Sequence, residues 1–370
     1  MGQAMSNRQS HEYWMGRALA LARRGTGLTR PNPPVGAIIV RQGVVIGQGY
    51  HRAAGQAHAE VLALQAAGSK TRGATLYVTL EPCCTTGRTP PCVQAILRSG
   101  VRRVVVGARD PNPRHAGRGL RLLRRQGISV MENVRAAEAR ELIAPFARWI
   151  KTGRPYVTLK LGMSADGKIA DRRRRSRWIT GSKSRQEVQA LRRSVDAVMV
   201  GAGTVVADNP SLLPRPARGR RPFRVIMDAR GMIPAGARVL TDAARAQTIM
   251  ATTKHCSLRR RQAWLAGGAQ VWILPGTPGR VSLSALMRRL GRLGCLHVLC
   301  EGGGDLAAAL IRARLVDIFV FYVAPCLVGG QDAVGAVGGR GWPLPQAPKL
   351  VFTECRRVGQ DIVIKAMPAS

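Results

Sequence analysis

The chain has 370 residues, enough for two domains of moderate size, each able to bury its own core. Its 58 Lys and Arg outnumber 20 Asp and Glu to give a formal charge of +38, yet aromatic residues are only 4%, which argues against a surface built to stack nucleic-acid bases. No apolar run is long enough to cross a bilayer, the N-terminal stretch MGQAMSNRQSHEYW lacks the apolar segment of a secretory signal, and eight irregularly spaced cysteines suit a reducing, cytoplasmic setting.

The first half alternates helices and strands. Residues 6–24 read as an amphipathic helix, 35–40 and 44–50 as a hairpin split by Arg-Gln-Gly, 58–68 as a helix ending at Gly68, and 74–80 as a strand. Residues 92–100 read as a helix, 102–108 as a strand, and 119–127 as a helix leading into a strand at 128–132. Such alternation predicts a three-layer α/β domain. The pattern pauses over residues 145–156, where Gly153 and Pro155 punctuate the chain, and we place the boundary near residue 150, with domains at 1–150 and 151–370. A second α/β series follows, with apolar strands at 156–164, 194–203, 223–229, 247–252, 269–275, 296–300 and 316–325. The halves do not look like copies of each other. Charge is spread over both, and only eight of the basic residues are lysine. That bias fits a GC-rich genome acting on solvated positions, with a contribution from an anionic substrate held by arginine forks.

The segment EPCCTTGRTPPC at 81–92 holds three of the cysteines. His58 opens one helix, Cys83 follows a strand, and Cys92 opens the next helix. One imidazole and two thiolates make three ligands for tetrahedral zinc, with a fourth position left for water. The dipole of the helix that Cys92 opens favours its thiolate. Glu60, two residues from His58, is close enough to shuttle protons without being a ligand. This H-x-E, then P-C, arrangement belongs to zinc deaminases, in which metal-activated hydroxide attacks an amine-bearing carbon. Cys84 points away from Cys83 and reads as a bystander. Cys256, Cys295, Cys300, Cys326 and Cys355 have no metal-like spacing and read as small core residues.

The motifs PNPPVGAIIV (31–40), GYH (49–51), HAE (58–60), TLEPC (79–83), GRTPPC (87–92) and DPNP (110–113) resemble those of the bifunctional riboflavin-biosynthesis deaminase–reductase family. The likeness continues with KLGMSADGKIA (160–170), WITG (178–181), VGAGTVVADNP (200–210) and CEGGGDL (300–306). Nucleic-acid and free-base deaminases place the second cysteine three residues after the first; here nine separate them. The resemblance implies a cytidine-deaminase-like N-terminal domain and a dihydrofolate-reductase-like C-terminal domain. It makes His58, Cys83 and Cys92 the zinc ligands, Glu60 the proton shuttle, and Asn32, His51 and Arg88 substrate contacts. Arg88 suits a phosphate. Thr85 departs from the family, which usually writes histidine there; threonine keeps a hydroxyl but loses the reach of an imidazole.

In the second half EGGGDL lies between an apolar strand and a helix, where free backbone amides make an anion site. A glycine triplet alone is more often a turn, and this one lacks the G-x-G-x-x-G spacing. The resemblance supplies the cofactor, NADPH. It implies that Met163, Trp178, Thr204, Asp208, Gly303, Gly304, Asp305 and Leu306 line the cofactor, and that Ser176, Arg192, Leu212, Arg215 and Glu301 contact the substrate. Lys160, on a strand facing the expected cleft, is given a positioning role. Arg192 and Arg215 suit a ribose phosphate. Gly304 stands where the family commonly has proline, which loosens the turn without removing an amide. Arg172 to Arg175 form a solvated loop or add attraction for phosphates near the cleft.

The expected function is therefore twofold. Zinc-dependent hydrolytic deamination of 2,5-diamino-6-(5-phosphoribosylamino)pyrimidin-4-one comes first, and NADPH reduction of the product's ribosyl arm to ribityl follows. The alternatives are a single-activity reductase with an impaired deaminase half, and a basic nucleic-acid-binding protein on a deaminase scaffold. The expected partner is the small-molecule substrate, with no nucleic acid and no membrane, in a cytoplasmic homo-oligomer.

Overall fold

The computed structural model describes the backbone of residues 2–87, 89–216 and 220–369, with side chains from residue 11 onward. The chain divides into two compact units, Met1–Gly153 and Arg154–Ser370. Among the described residues no helix is long and apolar enough to cross a membrane.

The first unit runs α1 (Gly2–Arg23), β1 (Gly36–Arg41), β2 (Val44–Tyr50), α2 (Ala59–Ala67), β3 (Thr75–Leu80), α3 (Cys92–Ser99), β4 (Arg103–Ala108), α4 (Arg118–Arg125), β5 (Ser129–Met131), α5 (Ala136–Leu142) and α6 (Ala144–Thr152). Its sheet has the order β2-β1-β3-β4-β5, antiparallel at β2, β1 and β3, then parallel. Strands buried on both faces read as continuous apolar runs, and β1 shows the consequence. Ala37 and Ile39 join the core beneath α2, α3 and α4, whereas Ile38 and Val40 join the opposite core beneath α1 and α5. The helices thus flank one sheet in three layers. Helix α2 lies so close to β2 that a Cβ on Gly47 would come within 2.2 Å of the Ala63 carbonyl. His58 is the N-cap residue of α2. Residues 145–152, read from sequence as a pause, form most of α6; the unit ends at Gly153, whose positive φ of 66° closes that helix.

The second unit runs β6 (Tyr156–Ser164), β7 (Lys168–Ala170), α7 (Ser182–Ser194), β8 (Ala197–Gly201), α8 (Ala202–Asp208), β9 (Phe223–Met227), α9 (Arg238–Thr241), β10 (Thr248–Thr252), α10 (Leu258–Ala266) and β11 (Gln270–Ile273). It continues with β12 (Gly276–Thr277), β13 (Arg280–Val281), α11 (Leu283–Arg292), β14 (His297–Cys300), α12 (Gly304–Arg312), β15 (Ile318–Ala324), β16 (Val334–Gly335), β17 (Leu350–Val358) and β18 (Asp361–Pro368). Nine strands form one sheet in the order β11-β10-β9-β8-β14-β6-β15-β18-β17. The seven from β11 to β15 are parallel, and β18 and β17 close the edge antiparallel. Cores lie on both faces: Met199, Val225 and Val298 belong to one, Val198, Ile226 and Leu299 to the other. Parallel strands of this kind leave a crevice at their C-terminal ends, where ligands bind.

Candidate functional sites

In the first unit three elements converge. His58 caps α2, Cys83 sits in the loop after β3, and Cys92 is the first residue of α3. His58 Nδ1 lies 3.2 Å from Cys92 Sγ and 3.6 Å from Cys83 Sγ, and the three donor atoms fall within 4.8 Å of one another. The donor set fits zinc: one imidazole nitrogen and two sulfurs, with His58 offering Nδ1 because its Nε2 meets the Thr89 hydroxyl at 3.4 Å. The helix-end effect expected at Cys92 falls instead on its partner. The Cys92 backbone N–H donates to Cys83 Sγ at 3.3 Å. The Cys92 thiol, His58 and that amide together hold the Cys83 thiol down at about 4, while contact with Cys83 and burial push Cys92 up. His58 is raised, chiefly by its hydrogen bond to Cys83. Glu60 is buried beside this group, and desolvation, reinforced by the charge of Cys83, pushes its carboxyl up to about 7.

Asn32 and His51 are brought to this site as a pair. Asn32 Nδ2 lies 3.0 Å from His51 Nε2, and His51 Nδ1 lies 3.2 Å from the Ala57 carbonyl. Both ring nitrogens of His51 are thereby engaged, and its ring packs edge-on against His58 at 5.1 Å. Burial lowers the His51 pKa, which keeps it neutral and able to accept from Asn32. Arg88 lies outside the described residues. Thr85 is exposed in the loop. Cys84 turns away from the other thiols, its sulfur 3.5 Å from His115 Nδ1. Sequence reasoning missed two residues here. Thr89 orients His58, and buried Glu81 accepts backbone N–H bonds from Asp110, Gly117 and Gly119 at 2.9–3.1 Å, tying the DPNP loop to the end of β3. The only sequence signal for Glu81 was a carboxylate closing an apolar strand.

The second unit carries a cleft of about 2060 Å³ along the C-terminal ends of β6, β14, β8 and β9. Lys160, Ser176, Trp178, Arg192, Thr204, Asp208, Leu212, Arg215, Glu301 and Gly303 to Leu306 all line it. Met163 does not. Its side chain is partly buried and packs against the core, while Leu161, which shares its face of β6, joins Lys160 and Gly162 in the lining. Arg192 is not a free guanidinium. Its Nε and Nη2 donate to Glu301 at 2.5 and 2.8 Å, and its Nη1 to the Leu213 carbonyl at 3.3 Å. Burial pushes the Glu301 carboxyl up, but the Arg192 charge and its hydrogen bonds hold it below the usual range. Burial lowers the ammonium of Lys160, opposed by the Glu301 charge. Ser176 donates to Asp208 at 2.8 Å. The Arg185 guanidinium stacks 4.6 Å from the exposed Trp178 ring. The Arg215 side chain is exposed, and among the described residues no carboxylate pairs with it.

The glycine turn before α12 fits a dinucleotide. Gly302 and Gly303 have φ of 124° and 79°, a backbone that side chains strain, and a Cβ on Gly201, Gly203 or Gly302 would meet nothing within 4 Å. That open, glycine-lined cradle at the start of a nine-residue helix admits a pyrophosphate. Gly304 is also sterically required: a Cβ there would sit 2.5 Å from the Gly335 carbonyl. The absence of proline therefore accommodates a close crossing by the segment around β16.

Fold and sites define a zinc deaminase domain joined to a nucleotide-dependent reductase domain. Residues 8–108 match the cytidine and deoxycytidylate deaminase zinc-binding region, and residues 155–364 match the RibD C-terminal domain. The chain is 42% identical over 359 residues to the riboflavin biosynthesis protein RibD of Bacillus amyloliquefaciens, covering 96% of each chain. It is 40% identical over 372 residues to that of Escherichia coli K12, covering 97% of this chain and 99% of the other. The solved structure of Acinetobacter baumannii RibD superposes with a TM-score of 0.86 at 36% identity, over 98% of this chain and all of the other. A Thermotoga maritima diaminohydroxyphosphoribosylaminopyrimidine deaminase/5-amino-6-(5-phosphoribosylamino)uracil reductase gives 0.86 at 34% identity with the same coverage. The chain belongs to the RibD family of bifunctional riboflavin-biosynthesis deaminase–reductases, and its cofactors are zinc and NADPH. Neither the single-activity nor the nucleic-acid reading is favoured.

Proposed function

We propose that the first unit removes the 2-amino group of 2,5-diamino-6-(5-phosphoribosylamino)pyrimidin-4-one and that the second reduces the ribosyl arm of the product to ribityl. The observation that carries this reading is the convergence of His58, Cys83 and Cys92 beside buried Glu60. His58, Cys83 and Cys92 would hold the zinc, which would supply the Lewis acidity that makes water a nucleophile near neutral pH. Glu60 is placed to hold a proton on its carboxylate and would pass it from water to the departing amine, a role its raised affinity for protons suits. Asn32 meets the pyrimidine, and His51 holds Asn32 in place, since both of its own nitrogens are occupied. Arg88 is assigned to the phosphate on its chemistry alone.

In the second unit NADPH supplies the hydride. Its pyrophosphate would rest at Gly303, Gly304, Asp305 and Leu306, with Thr204, Asp208 and Trp178 along the cofactor and Met163, whose side chain packs against the core, offering its backbone. Lys160, Ser176, Leu212 and Glu301 hold the sugar, Arg192 fixes the Glu301 carboxylate, and Arg215 takes the phosphate. With no nucleophile assigned here, the rate comes from alignment. Incubation of the purified protein with the diamino substrate tests the reading. Ammonia should appear without NADPH, and NADPH should be consumed only once ammonia has formed. NADPH loss without ammonia release would overturn the order.

We further propose a cytoplasmic homo-oligomer. β17 is the outer strand of its sheet and presents Val351 and Phe352 at 55% and 69% exposure, an apolar edge on which a second copy can pair. Light scattering should give a multiple of 39.8 kDa; a monomer at micromolar concentration would contradict it.

A further inference from the structure

The cleft of the second unit has an order imposed by the sheet. Adjacent strands run β9-β8-β14-β6, and each delivers its own lining: Lys160 and Gly162 from β6, Glu301 to Asp305 after β14, Ala202 to Thr204 after β8, and Asp228 to Arg230 after β9. The reacting groups lie at the β6 and β14 end and the glycine cradle is central. The β9 end therefore receives whatever the dinucleotide extends beyond its pyrophosphate. Three inter-strand steps of about 4.8 Å separate β6 from β9, roughly 14 Å in all, a span suited to an extended dinucleotide.

That end carries Asp228 and two arginines. A carboxylate at such a strand end commonly hydrogen-bonds the adenosine ribose 2′-hydroxyl and so selects the unphosphorylated cofactor. Here Asp228 is unavailable. It is buried, and its two oxygens accept the backbone N–H groups of Gly231, Met232 and Ile233 at 2.8–3.0 Å. The turn so formed projects Arg230 into the cleft. Arg280 reaches the same wall from the β12–β13 hairpin, which is pinned by the Ser282 N–H to the Pro275 carbonyl at 2.8 Å. The two arginines belong to one patch. A Cβ on Gly279, next to Arg280, would lie 3.2 Å from Arg230 Nη2, so the Arg230 guanidinium rests on that bare backbone. Among the described residues neither arginine has a carboxylate partner. Two cations mounted on separate anchored turns, beside a carboxylate turned inward, call for a dianion between them.

We propose that Arg230 and Arg280 clamp the 2′-phosphate of NADPH and set the preference of the reductase for the phosphorylated cofactor. The proposal rests on the reading of this cleft as the cofactor site, and its test separates the two. Calorimetric titration of the full chain with NADP+, NAD+, 2′,5′-ADP and 5′-AMP is compared with Arg230→Ala, Arg280→Ala, the double variant and Gly303→Val. Each single alanine should weaken NADP+ and 2′,5′-ADP about tenfold, as expected for loss of one charged hydrogen-bonding group, and leave NAD+ and 5′-AMP within about twofold. Arg230→Lys should recover part of the loss. Equal weakening of NADP+ and NAD+, or no change in either, overturns the clamp. NADP+ binding unimpaired in Gly303→Val overturns the cofactor cleft itself, whatever the arginine variants do.

Discussion

In the N-terminal unit three donor atoms gather within 4.8 Å beside a buried carboxyl, whereas the polar groups of the C-terminal unit are strung along a cleft of about 2060 Å³. The difference follows from what each half must supply. Deamination needs an activated water and a proton carrier at one carbon, so a few side chains at the ends of α2, β3 and α3 suffice. Hydride transfer needs two large molecules held in register, so the binding groups come from many strand ends and the chemistry resides in the cofactor. The first site should therefore fail abruptly when one group is removed, and the second gradually.

The sharpest break is expected at Glu60. Glu60→Ala should retain zinc and lose deamination by about 10²- to 10⁴-fold, the usual range for a general acid–base. Cys92→Ala should lose the metal as well, measured by atomic absorption. Thr89→Val should lower zinc affinity by about 10- to 100-fold in a chelator competition, because it removes the partner of His58 Nε2. In the second unit, Glu301→Gln should raise the reductase KM and slow turnover several-fold by unseating the pair with Arg192, with deamination untouched. Arg215→Ala is expected to be milder, about a tenfold rise in reductase KM with little change in kcat. If a single reductase change proved as absolute as Glu60→Ala, the contrast between a point-like and a distributed site would be lost.

The first site was largely legible in the sequence because its signal is local. HAE and the nine-residue step from Cys83 to Cys92 report residue types whose geometry a helix start and a strand end then impose. What escaped was tertiary. Nothing in the sequence pairs Arg192 with Glu301 across 109 positions, a pairing that occupies a guanidinium expected to meet the substrate. Thr89 and Glu81 were read only as motif letters, since their bonds form after distant loops close. That the Met163 side chain packs against the core is likewise a tertiary fact that the motif does not carry. Residues 145–152 were read as a pause because Gly153 and Pro155 look like punctuation, yet Gly153 ends α6 and Pro155 lies beyond it, so neither interrupts the helix.

The independence of the two sites is tested most directly by giving Glu60→Ala each substrate separately. With the diamino compound and NADPH it should release ammonia and oxidise NADPH at least about 10²-fold more slowly than the wild type, while with the deaminated intermediate it should oxidise NADPH at the wild-type rate. Ammonia release by the variant near the wild-type rate would contradict the role of Glu60, and a lost reductase rate would contradict two separate sites.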